Sequence, residues 1–395
     1  MKLSNDQEIA RDKIHERFAD GGRVAVLAGA AGTGKTTIMR QLADDFAADG
    51  NSVVMMAPTG KAAARLRDLS GRDANTIHSL LFGTVFEDED GTPIFADPHA
   101  VAEGRAIVVC DEASMVGSRI YDDILAHLPD TVKILFVGDR EQLPPVGDVW
   151  GPDFSRPTAL LEQVHRQAAG SPIIQLATAI RKGADWRKIP EGKGYRKGKG
   201  ATGVAAWTAR QRAKEKDVTL LTFTNKRRHA LNAAVRNARG LHGAIEIGDR
   251  LVCTFNNRGL GVMNGELRTV RELDQAPGDF RVARWAEPGW ALVAPPFFGC
   301  DGDTWKSLVE CLGEISEATG WEVPAGKLAP KRRALRMEYG ECLTVHKSQG
   351  SQWDTVCFVM DGAYRSRERK NPEAARRLLY TAVTRAAERL FIVEV

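Results

Sequence analysis

With 395 residues, 43% hydrophobic and 27% charged, the chain is long enough for two or three packed domains and has the make-up of an ordinary globular protein. Its formal net charge of +4 is too small to diagnose a nucleic-acid partner, because most of the charge is balanced locally. Six cysteines (110, 253, 300, 311, 342 and 357) lack C-x-x-C spacing and a companion histidine cluster. That argues against a zinc site or a disulfide framework and fits thiols in a reducing cytoplasm. The start, MKLSNDQEIARDKI, has no apolar core of a secretory signal, and no stretch approaches the roughly 18 apolar residues of a membrane span.

Along the first 150 residues short apolar runs alternate with helical patterns. Strands are expected at 23–28, 53–57, 106–110 and 133–137, and this alternation implies a doubly wound parallel sheet. Thr84 to Phe95 breaks the rhythm with two β-prone arms around Asp90-Gly91, a hairpin signal. From Arg181 to Gly200 the chain is rich in Gly, Lys and Arg without periodicity and reads as an exposed mobile loop, either solvated or DNA-contacting. A second α/β pattern begins near Asp217, is interrupted after Ile245 by DRLVCTF, ELRTV and RVARWA, and resumes at Glu338. The interruption predicts an inserted β-rich domain near 244–337, with a helix at 308–319 inside it.

Gly29-Ala30-Ala31-Gly32-Thr33-Gly34-Lys35-Thr36, followed by Thr37, matches G-x-x-x-x-G-K-[ST] between an expected strand and an expected helix. Glycines let backbone N–H groups turn inward around phosphate oxygens, and the helix N-terminus favours their charge. Lys35 should reach the β- and γ-phosphates of ATP, and the Thr36 hydroxyl should bind Mg²⁺. The run Val108-Val109-Cys110-Asp111-Glu112 ends a strand in two carboxylates. Asp111 would hold the Mg²⁺, and Glu112 would orient and deprotonate water. Together these say nucleoside triphosphatase and no more.

The run Ile134 to Gly147, ILFVGDREQLPPVG, narrows the reading. Gln142 can hydrogen-bond a γ-phosphate, and the prolines that follow can pass the signal on with little slack. With this run the chain resembles superfamily 1 helicases, in particular the RecD/Dda-like superfamily 1B. In family order, LSNDQ carries the glutamine that would read adenine, Gln7. Ala57 to Ala63 resembles motif Ia and Thr76-Ile77-His78 motif Ib. Leu161 to Gln167 carries a γ-phosphate arginine, Arg166, while Leu343 to Ser351 resembles motif V and Tyr380 to Ala386 motif VI with its arginine finger, Arg385. One departure stands out: the family's Gly-Ser-Glu after motif V is Gly350-Ser351-Gln352 here, which carries no charge.

The resemblance implies two RecA-like lobes, 1–150 and 151–243 with 338–395, with ATP between them. It also implies a strand-splitting pin at 84–95 and an SH3-like subdomain at 244–337. Pro58, Thr59, Lys61 and His78 on one lobe, and Thr344, His346 and Lys347 on the other, would contact DNA. Phe82, Phe223 and Trp353 are candidate stacking aromatics, although core packing suits each. The implied activity is a cytoplasmic, monomeric 5′-to-3′ DNA helicase of a bacterial or phage-infected cell. Single-stranded DNA and single-strand/duplex junctions would be its substrates and replication proteins its partners, with no membrane involved. The alternative is an ATP-switched single-stranded DNA-binding or loading protein that does not separate strands.

Overall fold

The computed structural model describes residues 3–83, 85–87, 93–95, 106–165, 170–200, 203–214, 216–254, 262–275, 281–284, 290–293, 334–335 and 337–395. The chain divides into two compact units. One comprises Met1–Val85, Phe95–Gly198 and Ser348–Val393, and the other Phe86–Ile94, Lys199–Lys347 and Glu394–Val395. The lobes expected from motif order cut the chain elsewhere, at 150, 243 and 337.

The first unit opens with α1 (Asn5–Ala19), begun by a capping box in which the Ser4 hydroxyl and the Gln7 side chain exchange hydrogen bonds with each other's backbone. Ala10, Ile14 and Phe18, four residues apart, are its buried stripe. Then follow β1 (Val24–Gly29), α2 (Lys35–Ala48), β2 (Ser52–Ala57), α3 (Gly60–Ser70), β3 (Ala74–Thr76) and α4 (Ile77–Phe82). The short strands β4 (Val85–Glu87) and β5 (Pro93–Phe95) pair with each other, so the backbone of the expected hairpin is present. Its turn and side chains, Phe86 and Phe95 included, lie outside the described residues. Next come β6 (Ala106–Cys110), α5 (Ser118–His127), β7 (Lys133–Gly138) and β8 (Ala159–Leu161).

Six of these strands form one sheet in the order β3-β2-β6-β7-β1-β8, every neighbouring pair parallel. Side chains alternate between faces along a strand. Ala25 and Leu27 of β1 therefore join one buried cluster with Ile38, Leu42 and Leu66 from α2 and α3. Val26 and Ala28 join another with Leu80 and Ile124 from α4 and α5. Burial on both faces explains why these strands read as unbroken apolar runs.

After α6 (Pro172–Arg181) the basic segment corrects the expectation of a mobile loop. It contains a 3₁₀ turn at Trp186–Lys188 and the strand β9 (Tyr195–Lys199). Trp186 and Tyr195 are buried and supply the anchorage that the Gly/Lys composition hid.

The second unit contains α7 (Val204–Arg212), β10 (Val218–Thr222), α8 (Asn225–Ala238), β11 (Arg250–Cys253) and β12 (Leu267–Thr269). These are followed by β13 (Glu272–Gln275), β14 (Arg281–Arg284), β15 (Trp290–Val293), β16 (Ala334–Leu335), β17 (Met337–Tyr339) and β18 (Cys342–Thr344). β10 and β18 run parallel. The expected insertion is β-rich: β12-β11-β17 and β13-β14-β15-β16 form two small sheets. The helix expected at 308–319 lies outside the described residues.

The chain then returns to the first unit with β19 (Trp353–Met360), α9 (Gly362–Lys370), α10 (Pro372–Val383) and β20 (Ala386–Glu394). β20 lies between β19 and β9. Among the described residues no helix is long and apolar enough to cross a membrane.

Candidate nucleotide site

Because β6, β7 and β1 are adjacent and parallel, their carboxyl ends share one sheet edge, the usual ligand edge of such sheets. The loop after β1 is the glycine-rich run, the loop after β6 holds Asp111 and Glu112, and the loop after β7 holds Asp139 and Gln142. Gly32 and Gly34 take the left-handed conformation, φ 81° and 77°, which turns the loop sharply into α2. The Lys35 ammonium donates to the carbonyls of Gly29 and Ala30 at 2.7 and 3.0 Å. Thr33 donates to Ala30 O at 2.8 Å. Lys35, Thr36 and Thr37 are partly exposed in the first turn of α2.

Asp111 has its pKa raised to about 6, first by burial and then by the charge of Glu112 beside it, with Lys35 and Arg65 acting in the opposite sense. Glu112 has φ 50° and is, among the described residues, the one non-glycine with positive φ. Such a conformation costs of order 1–3 kcal/mol and clusters at functional sites. Asp139 is buried and also raised, by burial first. Gln142 is 5% exposed, and its side-chain carbonyl oxygen has no hydrogen-bond partner. A buried, unsatisfied acceptor of this kind calls for an explanation.

Arg385, just past α10, is 4% exposed. Its guanidinium donates to Thr381 O (3.1 Å), Ser351 O (3.2 Å) and the Thr384 hydroxyl (3.2 Å). Burial lowers its pKa, and Glu112 is the largest influence favouring the charge. The fold thus brings Arg385 within electrostatic reach of Glu112. Arg166 lies outside the described residues.

Gln7 is 2% exposed. Its oxygen accepts from the Ser4 N–H at 3.0 Å, while its amide nitrogen lies 3.4 Å from the carbonyls of Thr33 and Gly34 and 2.9 Å from His165 Nε2. His165 also contacts Thr33 O at 3.1 Å, and its N–H donates to Gly32 O at 3.1 Å. Asp6 accepts from the N–H groups of Glu162 and Gln163 at 2.9 and 3.1 Å. The N-terminal motif therefore clamps the segment carrying His165 onto the phosphate loop. The S-x-x-Q spacing of a capping box was the signal for half of this.

Three residues that sequence reading left without a role belong here. The buried Tyr380 hydroxyl accepts from the Ala31 N–H of the phosphate loop at 2.9 Å and donates to Asp139 at 2.6 Å. Arg65 donates to Gln352 at 3.0 Å, so the residue that departs from the family pattern holds an arginine whose charge acts on Asp111. Thr381 accepts from Leu143 N at 3.1 Å, tying α10 to the Pro-Pro turn.

The expected DNA residues fall in both units, Pro58, Thr59, Lys61 and His78 in the first and Thr344, His346 and Lys347 in the second. Thr59 caps α3 through Ala62 N, and Lys61 lies 4.8 Å over the Trp353 ring. His78 is exposed. Thr344 accepts from Lys347 N at 3.3 Å, and Lys347 pairs with Glu338 at 3.2 Å. Trp353 is buried. Phe82 packs edge-on against His127 at 4.9 Å, as a core aromatic does.

Residues 2–192 match the AAA domain family and residues 339–393 the UvrD-like helicase C-terminal domain family. The ATP-dependent RecD2 DNA helicase of Deinococcus radiodurans is 30% identical over 98% of this chain and 48% of its own length. In sequence the chain is similar to the superfamily 1B helicases of the RecD/Dda type. The ATP-dependent DNA helicase dda of Enterobacteria phage T4 is 26% identical over 59% of this chain and 56% of its own length. Pif1 helicase from Bacteroides, solved with ADP-AlF3 and single-stranded DNA, shares the fold at a TM-score of 0.55 and 18% identity, covering 99% of this chain and 92% of that one. The chain spans about half the length of the curated relatives it matches first.

Proposed function

We propose that the chain is an ATP-hydrolysing motor that moves 5′ to 3′ along single-stranded DNA and separates duplex at single-strand/duplex junctions. The observation that carries the reading is the convergence of the phosphate loop, Asp111, Glu112 and Gln142 on one sheet edge, with Arg385 in charge range of Glu112. Family resemblance supports it, as do the names of the relatives, which are ATP-dependent DNA helicases.

In this reading the loop amides and Lys35 bind the ATP phosphates, and Gln7 helps hold the loop's shape beside the base. Gln142 offers its unpartnered oxygen as an acceptor to the attacking water, and Glu112 takes the proton of that water. Arg385, with Arg166 by family resemblance, stabilises the charge that develops on the transferred phosphoryl group. Thr36 and Asp111 would hold Mg²⁺. Burial beside Glu112 disfavours the Asp111 charge, so a cation suits that carboxyl, and few protein ligands are usual for this ion. When bound, Mg²⁺ neutralises phosphate oxygens.

The two RecA-like lobes are 1–150 and 151–243 with 338–395, the hairpin at 84–95 is the pin, and 244–337 is the SH3-like subdomain. Pro58, Thr59, Lys61, His78, Thr344, His346 and Lys347 follow the DNA backbone, so stepping is indifferent to sequence. The protein works as a cytoplasmic monomer alongside replication proteins.

Forked DNA with only a 5′ tail, set against a fork with only a 3′ tail, tests this. ATP-driven opening of the 5′-tailed fork alone is expected. Opening of the 3′-tailed fork alone reverses the polarity. DNA-stimulated hydrolysis without any opening points instead to an ATP-switched binding or loading protein.

A further inference from the structure

We propose that β9, the 3₁₀ turn before it and α9 together form an accessory surface for the phosphodiester backbone, separate from the motif Ia, Ib and V residues. The proposal rests on the DNA-motor reading above. Between Arg181 and Lys199 eight Lys/Arg stand against two Asp/Glu, and between Gly362 and Lys370 four stand against one. These two segments therefore carry a formal +9 while the whole chain carries +4, and the rest of the molecule is net acidic. The segments lie far apart in sequence, yet a bidentate pair joins them: Arg187 meets both oxygens of Glu368 at 3.1 and 3.0 Å.

The local carboxylates are already engaged. Glu368 holds Arg187, Asp185 caps the 3₁₀ turn, and Glu191 accepts from Lys197 N at 3.2 Å. Lys182, Lys188, Lys193, Lys199, Arg369 and Lys370 are exposed, and among the described residues none of them has an ion-pair partner. Such a concentration of one charge sign focuses a field that a polyanion would satisfy.

The surface is also built rather than loose. Leu390 N donates to Gly194 O at 2.7 Å. Gly194 has φ 96°, and a Cβ there would lie 2.7 Å from Glu388 O, so this glycine is required for β9 to seat against β20. Lysines on an edge strand can serve simply to block strand-to-strand aggregation. That role does not account for Arg369 and Lys370, which stand on a helix. Apart from Lys199, both segments belong to the unit that holds the nucleotide site, so an anchored backbone would be carried with it.

The test reverses four charges, Lys188→Glu, Lys193→Glu, Arg369→Glu and Lys370→Glu, in one protein. A control reverses four exposed charges elsewhere: Lys13, Arg40, Arg119 and Lys214. Affinity is measured against salt for a single-stranded oligonucleotide and for a blunt duplex. Each lost phosphate contact should flatten the log–log slope by about 0.7 for single strands or about 0.9 for duplex. The expected result is a Kd at least tenfold weaker and a slope flatter by 2 or more for the test protein in at least one arm, with DNA-free ATP hydrolysis unchanged. The arm that loses more identifies the form of DNA held there. A test protein that binds both DNAs like wild type, or that loses no more than the control, overturns the proposal and leaves the motor reading intact. Wild-type protein that binds neither DNA overturns the motor reading itself.

Discussion

In the unit spanning Lys199–Lys347, buried carboxylates are met by arginine. Asp249, 1% exposed, takes a two-pronged contact from Arg236 at 2.7 and 3.0 Å. Glu341 is shared by Arg212 at 3.0 Å and Arg239 at 2.7 Å. The half-buried Glu338 pairs with the buried Arg228. In the nucleotide-site unit, Asp111, Glu112 and Asp139 have no ion-pair partner among the described residues, and burial raises the pKa of Asp111 and Asp139. A buried charge left unpaired is costly. The difference separates carboxylates that hold a scaffold together from those that the proposed function assigns to a ligand, and it can be seen without reference to any motif.

Four substitutions can break or sharpen that contrast. The largest effect is expected from Arg385→Ala. Removing an arginine finger typically costs about 10³–10⁵ in rate, so steady-state ATP turnover of the folded protein should fall by about 10³ or more. A loss of less than tenfold would remove Arg385 from the chemistry. Next comes Asp249→Ala, which leaves Arg236 buried and uncompensated. Chemical denaturation should show a loss of about 3–5 kcal/mol, whereas Asp111→Asn, removing a charge that nothing pairs, should cost under about 1 kcal/mol. Equal costs would erase the distinction between the two units. An effect between those two is expected from Tyr380→Phe. Losing a hydrogen bond to a charged partner costs about 1.5–3 kcal/mol. Because the hydroxyl also holds Ala31 N–H, the KM for ATP should shift together with the melting temperature. Asp249→Ala should leave the KM of its folded fraction alone.

Much of the site was legible because each motif is a short contiguous run at a strand end, where chemistry restricts the residue types. Gly29 to Thr36, Asp111-Glu112 and Gly138-Asp139 to Gln142 all stand where the apolar runs predicted strand ends. The role of Tyr380 was not legible, since its partner Ala31 lies 349 residues away and only folding brings them together. The Arg65–Gln352 contact was hidden in the same way, though the missing carboxylate at 352 marked the place. Arg181 to Gly200 misled for a different reason. Its composition is that of a solvated loop, and the strand exists because Trp186 and Tyr195 are buried and Gly194 fits under β20, neither of which periodicity records.

The central claim is that ATP chemistry at this sheet edge is coupled to a DNA strand. The most direct measurement is the steady-state rate of ATP hydrolysis with and without a single-stranded oligonucleotide, for wild type and Lys35→Ala. The account predicts a rate raised many-fold by the oligonucleotide in wild type and absent in the variant. Equal rates with and without the oligonucleotide, or hydrolysis that survives the loss of Lys35, would contradict it.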